Sequence, residues 1–155
     1  MVNVRIGEIK DIPAVLRLIK ELALYENADG EVIATIDSME EDGFGDRKYF
    51  DFFVAEQNEE ILGIAVYYFS YSTWKGRTLY LDDLVVLENY RRKGIGKLLF
   101  DALVQKAKEI GAKRLRWQVL EWNESAIEFY KKINTDFDYE WINCTLNADQ
   151  IINYK

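Results

Sequence analysis

Four cations and two glycines stand together in "RRKGIGK", residues 91–97, shortly after the apolar run "YLDDLVVL" and at the head of an amphipathic stretch. Those residue types at that spacing suit an anion. The first amides of a helix lack intrahelical acceptors and carry partial positive charge. Gly94 and Gly96 let the backbone come close, and Arg91, Arg92, Lys93 and Lys97 add full charges. A diphosphate is the natural guest. The loop is not a Walker A sequence, GxxxxGK[ST], and Leu99 stands where a dinucleotide fingerprint has its third glycine. The other reading of the same residues is a solvated basic turn that opens a helix.

Asp82 and Asp83 interrupt the apolar run just before that loop. A carboxylate in such surroundings is expensive to bury without partners, so two in succession ask for a reason. Strand alternation sends them to opposite faces, which argues against a paired dyad. Elsewhere the chemistry is restricted by what is missing. The chain has no histidine and one cysteine, Cys144. Ser-His-Asp and Cys-His nucleophiles, HExxH zinc sites and imidazole bases are therefore excluded, and no metal site is expected. Catalysis near neutral pH falls to carboxylates, tyrosines, lysines, backbone amides or a cofactor.

The elements that must position these groups follow from periodicity. Residues 2–7 read as a strand. Asp11 is placed to cap a helix whose apolar positions are Ile12, Val15, Leu16, Ile19, Leu22 and Ala23, with Pro13 in its first turn. Residues 35–45 read as a short helix stopped by Gly43. Three strands follow, "YFDFFVAE", "EEILGIAVYYFSYS" and "TLYLDDLVVL", the first two joined by a turn at 57–60. A helical stripe from Ile95 to Ile110 ends at Gly111. Residues 114–120 read as a strand, 123–133 as a helix capped by Asn123, and 139–146 as a last strand. This order implies one α/β domain, residues 1–155, on a mixed, mostly antiparallel sheet flanked by helices.

A chain of 155 residues suits a single core. No apolar run approaches the ~20 residues of a membrane span, and the first residues lack the basic-then-apolar pattern of a signal peptide. A single cysteine fits a reducing, cytoplasmic setting. The net charge of −7 disfavours nucleic acid as a partner.

"YRRKGIGKLL" resembles the pyrophosphate loop, Q/R-x-x-G-x-G/A, of the GNAT N-acyltransferases. "LRLIKELALYE", "EDGFG", "YYFSYSTWKG", "LYLDDLVV" and "EWNESAIEFYKK" resemble segments of the spermidine/spermine and thialysine N-acetyltransferase branch, in the same order. The resemblance implies transfer of acetyl from acetyl-CoA to a primary amine of a small cationic acceptor by direct attack in a ternary complex. It assigns Tyr130 as proton donor to the leaving thiolate. Asp82 takes the place of a glutamate that accepts the amine proton through water, or holds the ammonium. Being one methylene shorter, it implies a longer water bridge. Tyr25, Glu26 and Trp74 match acceptor-binding positions. Leu84, Val85 and Val86 match the backbone that meets the pantetheine arm, Arg91 and residues 92–97 (Ile95 included) the pyrophosphate loop, and Asn123, Ser125 and Lys131 further CoA contacts. A homodimer is implied as well, although "KKINTDFDYEWINCTL" departs from the family where a glycine-bearing turn is usual. Asn134 is placed to make that turn. A peptide N-acetyltransferase and a non-catalytic acetyl-CoA-binding module are the competing readings.

Overall fold

The computed structural model describes residues 1–154, which form two compact units, Met1–Gln118 and the segment from Val119 onward. The first unit carries a five-stranded sheet in the order β1-β2-β3-β4-β5. Its strands are β1 (Asn3–Ile6), β2 (Asp51–Gln57), β3 (Glu60–Ser72), β4 (Gly76–Val86) and β5 (Arg114–Arg116). The first four pair antiparallel and β5 joins β4 in parallel, as expected of a mixed sheet whose β4–β5 link is a helical crossover. The β2–β3 hairpin turns on Asn58 and Glu59, both at positive φ (51° and 65°), which is the geometry of a two-residue turn.

Helices α1 (Ile12–Tyr25) and α2 (Ile36–Phe44) cover one face. There Ile12, Val15, Leu16 and Leu18 of α1 and Met39 of α2 pack with Phe52, Val54, Ile64, Val66 and Val85 of the sheet. Helix α3 (Ile95–Glu109) lies on the opposite face, where a Cβ on Gly63 would come within 3.2 Å of Leu99 Cδ1. Gly63 thus permits the close approach of α3 to the sheet.

Two local expectations are corrected within this unit. Asp11 does not cap α1 with its side chain. It accepts the Glu8 N–H (2.8 Å) and two Arg5 guanidinium bonds (2.7 and 3.1 Å). Gly43 does not stop α2. It is buried inside the helix, where a Cβ would meet the Phe50 ring at 3.0 Å, and the chain leaves the helix at Gly45. Thr35 and Ser38 close the other end as a capping box.

The second unit holds α4 (Glu124–Lys132) and a short α5 (Ala148–Ile152). Asn123 caps α4 by accepting the Ala126 N–H at 3.2 Å, and Asn134 takes the left-handed turn after it, φ 58°. The strand expected at 139–146 does not form, and β5 ends at Arg116 rather than 120. Tyr139, Trp141 and Ile142 are largely exposed, so the alternating pattern there has no ladder to join. Among the described residues no helix is long and apolar enough to cross a membrane.

Candidate active site

The β3–β4 ladder carries the decisive irregularity. Tyr67 pairs with Leu81 and Val66 with Asp83, so Asp82 is an extra residue in a β-bulge. A bulge breaks alternation and re-aims side chains. Leu81 goes to the α3 face with Tyr67, while Asp83 lies opposite Val66, which packs under α1. Asp82 acts electrostatically on Tyr68 and Tyr80, whose rings stack 5.0 Å apart, and on Asp83. Both carboxylates therefore serve the α1 side, contrary to the opposite faces expected from strict alternation.

The C-terminus of α1 completes the acidic group. Burial raises the pKa of Glu26 at the helix end, and partial desolvation raises that of Asp82, although its side chain is exposed. Burial first, then the charges of Asp82 and Glu26, push Asp83 up to about 7. Asp83 was not singled out for chemistry in the sequence. The only available signal was the Asp doublet inside a strand, which shows a bulge once the register is known.

The anion loop lies just beyond. Leu87 N–H donates to Leu62 O (2.9 Å), a single 3₁₀ turn follows at Glu88–Tyr90, and Arg92 and Gly94 take positive φ (62° and 83°) before α3 begins. Leu98 N–H bonds Gly94 O at 3.1 Å, so the helical ladder starts there and the preceding amides belong to the helix mouth. Arg91 is a brace: its Nε donates to Val86 O (3.1 Å) and its guanidinium lies 5.1 Å over the Tyr25 ring. Lys97 pairs with Asp101 at 2.5 Å, and the Lys93 ammonium lies over Tyr90. A Cβ on Gly96 would meet nothing nearer than Val86 Cγ2 at 3.8 Å. The protein's own packing therefore does not require glycine there, and the helix mouth is open to the close approach of an anion. The residues present fit a diphosphate.

The β4–β5 ladder ends at Tyr80 and Arg116, while β4 runs on to Val86. Leu84, Val85 and Val86 thus lie beyond the last β5 pairing. Trp74 is 82% exposed at the tip of the β3–β4 hairpin. Gly76 and Asp82 are six residue steps apart along β4, about 20 Å at 3.3 Å per step, so this chain does not bring Trp74 to its own acidic face. In the second unit Tyr130 is buried, edge-on to Phe129 at 5.3 Å, on the helix that carries Ser125 and Lys131.

A bulged carboxylate pair on β4 and, beyond it, a glycine-bearing helix mouth stand on one α/β sheet. The chain belongs to the Acetyltransferase (GNAT) family, whose model matches residues 14–134, and it is an N-acetyltransferase. It is 39% identical over 143 residues to the thialysine N-epsilon-acetyltransferase of Bos taurus, covering 86% of this chain and 84% of that protein. It is 37% identical over 135 residues to the spermidine/spermine N(1)-acetyltransferase-like protein 1 of Homo sapiens, covering 83% of this chain and 19% of that one. An aminoglycoside acetyltransferase from a soil metagenome has the same fold, with TM-score 0.78 at 22% identity over 94% of this chain and 97% of that one.

Proposed function

We propose that this enzyme transfers acetyl from acetyl-CoA to the primary amine of a small cationic acceptor, a diamine, a polyamine or a thialysine-like amino acid, by direct attack while both substrates are bound. The observation that carries the reading is the juxtaposition of Asp82, Asp83 and Glu26 on the face beside the phosphate-fitting loop. Acetyl-CoA supplies the activated acyl group, and the chain's own residues do the rest. A primary ammonium has a pKa near ~10.4, so the neutral nucleophile costs about 4.6 kcal/mol to reach at pH 7. Asp82 attracts the ammonium and accepts its proton, directly or through water. Asp83 beside it changes protonation close to pH 7 and so both takes and gives up a proton there.

Residues 92–97 hold the diphosphate by helix-mouth amides and the charges of Arg92 and Lys93. Backbone groups of Leu84, Val85 and Val86, past the end of the β5 ladder, orient the pantetheine arm. Tyr130 is proposed as the donor to the departing thiolate, with Asn123, Ser125 and Lys131 as further CoA contacts. These roles rest on family resemblance. Tyr25 and Glu26 are proposed at the acceptor's far end. Homodimerisation is likewise proposed from resemblance, and sedimentation checks it.

Thiol release from acetyl-CoA, followed across diamines, polyamines, thialysine, lysine and short peptides, tests the reading. Turnover with small cations and not with peptides is the expected result. Turnover confined to peptides would overturn it, and Tyr130→Phe with undiminished turnover would remove Tyr130 from its role.

A further inference from the structure

Arg91 stands where three elements meet. Its Nε donates to Val86 O at 3.1 Å, at the end of the strand that carries Asp82 and Asp83. Its guanidinium carbon lies 5.1 Å from the centroid of the Tyr25 ring, on the last residue of α1. Its backbone ends the 3₁₀ turn and leads into the glycine loop. One side chain therefore spans from the phosphate-fitting mouth to the helix end beside the acidic group. Arginine suits this place. Its planar fork gives one nitrogen to a carbonyl, lays its face on a ring and keeps other donors for an anion. Among the described residues its two Nη groups have no hydrogen-bond acceptor.

The far end of this strut matters. Helix α1 stops at Tyr25, Glu26 N–H bonds Leu22 O at 2.9 Å, and Asn27 turns the chain left-handed at φ 57°. A ring held in one place therefore fixes the turn that presents Glu26, whose charge acts on Asp83. The loop's other ring contact leads elsewhere. Lys93 lies 4.8 Å over Tyr90, whose hydroxyl donates to Glu60 at 3.3 Å, beside the β2–β3 turn. Arg91 and Tyr25 are both exposed. A long exposed cation loses rotamer freedom when it settles on a ring, so the contact is weak by itself. A diphosphate that engages the Nη groups removes that freedom first, and the ring contact then forms at lower cost.

We propose that Arg91 is a positioning residue that couples the two substrates: a diphosphate in the loop fixes its guanidinium, which holds the Tyr25 ring and with it the end of α1. Cofactor and amine then strengthen each other's binding by the same factor. This rests on acetyl transfer to a small amine, as proposed above. It concerns how the two halves of the site communicate and is independent of which amine is taken.

Titration calorimetry on the full chain tests it, with CoA, which has no acetyl to transfer, and the small amine that turns over fastest in the acceptor panel. Amine affinity is read with and without saturating CoA. CoA should raise it about two- to five-fold, the scale of an exposed cation–ring contact. Arg91→Met and Tyr25→Leu should each bring that ratio close to one, and the double variant should match either single one. Tyr25→Phe keeps the ring and should keep the ratio. A Tyr25 that only touched the amine would lower affinity equally with and without CoA, and denaturant unfolding separates lost coupling from lost fold. No coupling in the unaltered enzyme, or a ratio that survives in folded Arg91→Met and Tyr25→Leu, would overturn the assignment and leave amine acetylation standing. If no small amine releases thiol while a peptide does, the acceptor class itself is wrong and this inference falls with it.

Discussion

Two carboxylates of the first unit are removed from solvent and meet opposite fates. Asp11, 4% exposed, is gripped by both terminal nitrogens of Arg5 and by the Glu8 N–H, and Arg5 also reaches Glu56. Burial pushes the Asp11 carboxyl up, but the Arg5 and Glu8 bonds and the Arg5 charge prevail and its pKa falls below the usual value. Asp83 is half-buried, and among the described residues no cation pairs with it. Burial, Asp82 and Glu26 all act in one direction. The first acid ties β1 to the start of α1 and stays charged. The second is left near its own protonation midpoint on the face that an ammonium would occupy. Burial alone does not separate a structural acid from a functional one; the partner does.

The sharpest break of this contrast is Arg5→Ala, which leaves Asp11 buried without its cation, held only by the Glu8 N–H. Denaturant unfolding should record a loss of about 3–5 kcal/mol. In the unaltered protein the Asp11 contribution is fully present above the unfolded carboxylate pKa and disappears as pH falls through the lowered folded value. Asp83→Asn should do the reverse. A folded pKa above the unfolded one means the native state holds the extra proton between about pH 4 and 7, so stability declines across that window as pH rises. Replacing the acid should therefore stabilise the fold by roughly 4 kcal/mol at pH 8 and by almost nothing near pH 4, read from unfolding at the two pH values.

Asp82→Asn sharpens the functional half. It should lower turnover about 10²-fold, close to 2.7 kcal/mol, while calorimetry finds acetyl-CoA affinity within a few-fold of the original. The smallest effects divide the two loop glycines. Gly94→Ala, at φ 83°, should cost about 1 kcal/mol of stability. Gly96→Ala has room for its methyl, so stability should hold while acetyl-CoA binding weakens.

Much of this was legible in the residues. The strand order, the helix stripes and the Gly94 mouth follow from periodicity and turn chemistry, both local properties. What escaped were features fixed by neighbours. The bulge at Asp82 exists only in the register of β4 against β3, so alternation read from one strand placed the acids on opposite faces. The segment at 139–146 alternates like a strand but has no ladder beside it. Gly43 looked like a stop and proved to be a packing space for Phe50. The Arg91 Nε bond to Val86 O, made across the turn before α3, was likewise not legible in the loop's spacing.

The most direct test is the pH dependence of kcat/KM for thiol release with a small amine acceptor, in the unaltered enzyme and in Asp83→Asn. The account predicts a limb rising through a midpoint near 7 that is lost or displaced when Asp83 is replaced. An unaltered enzyme without that limb, or the same limb in both proteins, would contradict it.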